Sequence, residues 1–203
     1  MKKTCYKKFF KGDLMLQFLV TSFLVLATTQ AFAVQTVSNL DLNRYLGKWY
    51  EVASIPAFFQ KKCVSDTTAE YKALDFGKID VINSCTQKNG KVQVANGIAV
   101  VKNKETNAEL GVSFVPLLNH FGFFQGQYKV LKLGDNYEYS LVGTDNLKYG
   151  WILSRTPSLS LDTLAEIEEE IRRQGYDSCL FMTSLQTRGD FKERKTLCSV
   201  VKQ

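Results

Sequence analysis

Between Gly47 and Leu153 the chain alternates apolar and polar positions in short runs, and clusters of Gly, Asn and Asp break those runs at regular intervals. Within Asp66–Leu74, Thr67, Ala69, Tyr71 and Ala73 share one face; Asp75-Phe76-Gly77-Lys78 reads as a turn, and Ile79–Cys85 as the returning strand. Asn89-Gly90 is a two-residue hairpin signal, after which Val92, Val94, Asn96, Ile98 and Val100 alternate with Gln93, Ala95, Gly97 and Ala99. Leu110, Val112 and Phe114 form one face of the next strand, and Tyr128 and Val130 one face of the one after it. Gly134-Asp135-Asn136 precedes Tyr137, Tyr139 and Leu141, and Tyr149–Arg155 is the last long strand. The pattern predicts a meander of antiparallel strands. The strands are apolar on both faces more often than a sheet with one wet side would be. A closed barrel explains this, and closure also removes the exposed edges of a meander.

One helix is expected over about 160–174. Ser160 caps its start, Asp162 and Glu166 lie in the early turns, and Arg172 and Arg173 close it before Gly175. Leu161, Leu164, Ile167 and Ile171 make one apolar stripe, which suits a helix lying against a sheet. Glu168-Glu169-Glu170 reads as a solvated face. A final strand is expected over about 180–187, followed by a charged tail.

The 203-residue chain is 45% hydrophobic and 23% charged, an ordinary globular composition. Its first 33 residues read as a cleaved export signal: a lysine-rich start, an apolar run over Leu14–Ala27, and Ala31-Phe32-Ala33 as a small-x-small cleavage pattern. Residues 34–203 are then the mature domain. No Cys follows the cleavage pattern, so the lipid-modified cysteine of bacterial lipoproteins is missing. The mature chain is expected free of a lipid anchor, in the periplasm or associated with the outer membrane. Removing five lysines and one aspartate lowers the net charge from +6 to +2, which leaves little support for nucleic-acid binding.

Four cysteines remain, Cys63, Cys85, Cys179 and Cys198. An even count in an exported chain reads as two disulfides, and the spacing matches no zinc-ligand pattern. Cys179 and Cys198 lie equally far from Arg188-Gly189, so a turn there would set them opposite each other and leave Cys63 for Cys85. Simple hairpin register disagrees, since a turn near Phe76 sets Cys85 opposite Thr68.

The string Gly47-Lys48-Trp49-Tyr50-Glu51 resembles the opening of a lipocalin barrel. About 100 residues later, Trp151-Ile152-Leu153-Ser154-Arg155-Thr156-Pro157 resembles the last strand of the bacterial outer-membrane lipocalins and of apolipoprotein D, a likeness covering roughly residues 40–187. The resemblance implies an all-β fold: an eight-stranded antiparallel up-and-down barrel over about 47–155, with one C-terminal helix packed on the outside. It implies that Trp49 plugs the closed end and Arg155 packs across its indole, a structural pair. It also offers a rival cysteine pairing, Cys63–Cys198 with Cys85–Cys179, which would strap the tail across the barrel. Both pairings stay open.

An eight-stranded barrel holds one small ligand. Candidate lining residues are Tyr71, Val81, Val94, Ile98, Leu110, Val112, Phe114, Tyr128, Val130, Tyr139 and Leu141. By the family's topology the aromatic loop Val115–Gln125 joins the fifth and sixth strands at the open end. It would grip ligand or touch a bilayer surface, or else fold over its own apolar residues. The expected function is non-catalytic binding of a small hydrophobic ligand, a fatty acid or lysophospholipid, in envelope lipid storage or maintenance, with no cofactor and no metal. Alternatives are an isomerase or redox enzyme using Cys85 as a free barrel thiol, and a carrier of haem, pigment or isoprenoid. Monomer and homodimer are both left open.

Overall fold

The computed structural model describes residues 34–115 and 125–202; the proposed signal segment and residues 116–124 of the aromatic loop lie outside them. Eight strands follow one another around a barrel: β1 Gly47–Ser54, β2 Cys63–Ala73, β3 Lys78–Gln87, β4 Val92–Val101, β5 Glu109–Ser113, β6 Gly126–Leu133, β7 Tyr139–Gly143 and β8 Gly150–Ser154. Each pairs antiparallel with the next, β8 pairs with β1 (Tyr50 opposite Ser154), and β1 pairs with β2 (Gly47 opposite Tyr71), so the sheet closes. Connections β2–β3, β4–β5 and β6–β7 gather at one end with a short helix α1, Leu42–Tyr45; the other connections gather at the opposite end. The segment before α1 crosses the first end: Val37 N–H bonds the Val130 carbonyl, and Leu40 N–H the Thr106 carbonyl, with the Leu40 side chain fully buried.

Helix α2, Leu161–Arg173, lies on the outer wall. Ser160 Oγ accepts from the Thr163 N–H, and Gly175 leaves the helix at φ +87°, a conformation that favours glycine. Its stripe Leu164, Ile167 and Ile171 packs on the outward residues Val52, Leu131, Tyr139, Leu141 and Ile152. A second core fills the interior around Trp49, Tyr45, Tyr71, Val81 and Leu110. The carboxylate run on α2 corrects the expectation of a solvated face. Glu168 and Glu170 are buried, the first bonded by Ser178 Oγ and Arg172, the second by Arg173 and Gln174.

The wall has a seam that the C-terminal segment fills. β1 pairs with β2 only as far as Tyr50 opposite Thr68, and a bulge between Glu51 and Ala53 then turns its second half away. A two-residue strand β9, Met182–Thr183, pairs with Ala53 and Ser54 in the gap. Ser184 N–H bonds the Val52 carbonyl, Asp66 N–H bonds the Leu185 carbonyl, and Gln186 Nε2 bonds the carbonyls of both Glu51 and Thr67. The final strand is thus shorter than the expected 180–187. Ser178–Leu180 is a 3-10 turn, and residues 184–187 bond two diverging strands rather than one ladder. The tail is not merely charged: it forms α3, Leu197–Val200, whose Leu197 is buried.

Both disulfides are local, Cys63–Cys85 with Cα atoms 5.5 Å apart and Cys179–Cys198 at 4.9 Å, so the strap does not form. Simple register misleads at Cys63 because β2 carries two irregularities between Cys63 and Thr68. They slide Cys63 opposite Gln87, two residues from Cys85 on the same face. With Cys85 bonded to Cys63, the free barrel thiol of the enzymatic alternative is also corrected.

Candidate ligand-binding cavity

The floor is built on Trp49. Gly47 takes φ +92°, which swings the chain from α1 into β1 and points the Trp49 indole into the barrel. Its Nε1 donates to the Tyr45 carbonyl at 2.9 Å. Beneath it, the Arg155 guanidinium lies 3.6 Å from the indole centroid and donates to the carbonyls of Lys48 (2.9 Å), Arg44 (2.6 Å) and Tyr137 (3.4 Å). One side chain therefore satisfies carbonyls from the α1 turn, β1 and the β6–β7 connection while it covers an aromatic face.

Beside the indole, three tyrosines converge. Tyr45 OH bonds Ser140 Oγ (3.0 Å) and Tyr128 OH (2.7 Å), and Tyr128 OH bonds Tyr71 OH (3.0 Å). Burial pushes the Tyr45 hydroxyl up to about 12, partly offset by its hydrogen bonds from Ser140 and Tyr128 and by the Arg155 charge; burial also raises Tyr71 and Tyr128. The hydroxyls stay neutral and consume each other's polarity. They border an apolar void of about 10 Å³ lined by Leu42, Leu46, Ile79, Ala99, Leu110 and Val112, which places it against α1 at the closed end.

The candidate residues divide between two faces. Tyr71, Val81, Leu110, Val112, Tyr128 and Val130 lie with Trp49 in the interior core, and Phe114 sits towards the opposite end, its ring against Gly97. Tyr139 and Leu141 are corrected: they point outward under α2, with Tyr139 OH donating to Glu166, while Ser140 and Val142 face in. Val94 and Ile98 are corrected as well. Ala99 belongs to the interior core, so by alternation Ile98 and Val94 face outward, and Val94 is 55% exposed. The middle inward positions of β4 are small, Ala95, Gly97 and Ala99, and Gly97 leaves room for the Phe114 ring.

Near the opposite end the β1/β8 wall changes character. Glu51, 4% exposed, faces inward opposite Leu153; its Oε1 accepts from Ser54 Oγ (3.0 Å) and Ser184 Oγ, and its Oε2 from Gln60 Nε2 (2.7 Å). Gln60 Oε1 accepts in turn from Trp151 Nε1 at 3.4 Å. The Trp151 ring stacks on Tyr149 (6.1 Å between centroids), Tyr149 meets Phe59 (5.8 Å), and Phe59 meets Phe58 (5.3 Å).

The lipocalin-like domain family model matches residues 40–186. The chain belongs to the lipocalin family. It is 38% identical to the outer membrane lipoprotein Blc of Vibrio cholerae over 72% of this chain and 82% of that protein. It is 30% identical to mouse apolipoprotein D, covering 68% and 73% of the two chains. Among solved structures, insecticyanin from the tobacco hornworm Manduca sexta superposes with a TM-score of 0.58 at 22% identity, over 79% of this chain and 85% of that one. Apocrustacyanin C2 gives 0.58 at 17% identity over 73% and 81%. These last two show a shared fold.

Sequence reasoning missed four inward groups of this lipocalin: Glu51, Gln60, Trp151 and Ser140. For two of them a signal existed. Glu51 stands two residues after Trp49 and therefore on its face, and Trp151 stands two before Leu153. For Gln60 and Ser140 there was none, because one reaches in from a connection and the other is a small polar residue between apolar neighbours.

Proposed function

We propose that this lipocalin binds a single-chain amphiphile, a fatty acid or lysophospholipid, without catalysis, in storage or maintenance of envelope lipids. The observation that carries this reading is the lengthwise arrangement of the interior. The Arg155–Trp49 floor is sealed, the tyrosine layer beside it is internally satisfied, and Val81, Ala99, Leu110, Val112 and Val130 make the β3–β6 wall around that layer apolar. An acyl chain laid on such a wall gains ~0.8 kcal/mol per buried methylene. The tyrosine layer sets how deep the chain goes. The paired cysteines support an exported protein in an oxidising compartment, the periplasm or the outer-membrane surface.

The end away from Arg155 is the mouth in this reading, and its charge suits a bilayer surface. Its described connections expose Phe58, Phe59, Phe114 and Val115 together with Lys61, Lys62, Lys88, Lys91 and Lys148. The one carboxylate in them, Asp145, is paired to Lys129 at 2.8 Å. The sequence of residues 116–124 contains no acid.

The chain has two tryptophans, Trp49 in the floor and Trp151 in the upper wall. Titration with palmitic acid and palmitoyl lysophospholipids should quench fluorescence saturably, and Trp151→Phe should remove most of that signal while Trp49 emission persists. Flat titrations with every lipid would defeat the proposal.

A further inference from the structure

The Glu51 carboxylate is buried among neutral donors. Two serine hydroxyls and the Gln60 amide occupy three of its roughly four acceptor positions. Among the described residues no lysine or arginine reaches it within 4.0 Å. A charge held in a dry wall without a counter-charge is costly, and a wall built only to close the seam would be served by a neutral amide at this position. A row of aromatic faces leads to it, from Phe58 (70% exposed) and Phe59 through Tyr149 to Trp151, which Gln60 couples to Glu51. A desolvated carboxylate joined through one amide to an indole that stacks on a phenol combines the two kinds of group that attract an organic cation.

We propose that Glu51, Trp151 and Tyr149 form a subsite for the ammonium end of a lipid head group, with Gln60 positioning the carboxylate. The inference rests on the lipid-binding reading above and adds to it which head group is chosen. The two walls then divide the amphiphile between them. The ammonium sits on the β1/β8 wall, the chain lies along the apolar β3–β6 wall, and the phosphate faces Lys61 and Lys62 at the rim. The neutral donors around Glu51 keep it in place when the site is empty, which explains why Ser184 of the C-terminal segment is tied to it.

The test compares palmitoyl lysophosphatidylcholine and lysophosphatidylethanolamine with palmitoyl lysophosphatidylglycerol and palmitic acid, which carry no ammonium. The wild-type protein should bind the first two about tenfold more tightly than lysophosphatidylglycerol, a difference that needs no variant to read. Glu51→Gln should erase that preference by weakening only the ammonium lipids, with its folding verified by thermal unfolding. Equal affinity for all four lipids in the wild-type protein would overturn the subsite and leave the lipid-binding reading intact. A preference unchanged in folded Glu51→Gln would overturn it too. Failure of all four to bind would overturn both.

Discussion

Arg155 shows how much one side chain can fix. Its guanidinium covers the Trp49 indole and supplies donors to the carbonyls of Lys48, Arg44 and Tyr137. Arg155→Leu removes the cation–π attraction and strands those carbonyls at the closed end, so it should cost about 2–4 kcal/mol in urea unfolding. Arg155→Lys keeps the charge but not the planar fork, and should recover only part of that loss. A Leu variant as stable as the parent would show that the floor is held by packing alone. The floor was legible because its residues sit in two recognisable strings. The mouth was not, and Glu51 shows why. Reading apolar residues as inward finds the oily wall and passes over a carboxylate whose partners come from residues 54, 60 and 184. Tyr139 and Leu141 failed for the opposite reason, since a covering helix makes the outer face of β7 as apolar as the inner one.

Among the elements, the meander and α2 stood out because period and caps agree locally, whereas the C-terminal segment has no period to read. It belongs to two strands at once. Asp66 is its anchor on β2, accepting from the Thr187 N–H (2.7 Å) and the Thr187 and Ser65 hydroxyls. Burial raises the Asp66 carboxyl, but these hydrogen bonds outweigh it and hold the group below its ordinary value. A carboxyl depressed on folding contributes its stabilisation fully above its unfolded value, near pH 4, and loses it as pH falls through the lowered folded value. Asp66→Asn should therefore lower Tm at neutral pH, by about 1–2 kcal/mol of stability, and flatten its decline below about pH 4. Asn also tolerates the left-handed φ of +53° at this position, so the backbone adds no strain. If parent and variant lost Tm in parallel on acidification, Asp66 would not be the group that couples the segment to pH.

For the molecule as a whole, the charge is small but unevenly placed. Lys61, Lys62, Lys88, Lys91 and Lys148 crowd the mouth connections, while at the floor Asp41, Asp75, Glu105, Asp135 and Glu138 nearly balance Arg44, Lys48, Lys78, Lys102, Lys104 and Arg155. On the proposed reading, a barrel charged in this way would approach an anionic bilayer mouth first, with the exposed Phe58 and Phe59 leading. Each lysine near such a surface contributes about 1 kcal/mol, within a screening length that shrinks from about 10 Å at 0.1 M salt to about 3 Å at 1 M. The protein should co-sediment with vesicles containing phosphatidylglycerol and not with pure phosphatidylcholine vesicles, and raising the salt should release it. Lys61→Glu with Lys62→Glu should weaken this binding at least about tenfold, while Lys102→Glu with Lys104→Glu, an equal change in net charge at the other end, should leave it unaltered. That second pair separates an oriented docking from general attraction between a basic protein and an acidic surface: if both pairs weakened binding alike, the mouth would have no special role in reaching the membrane.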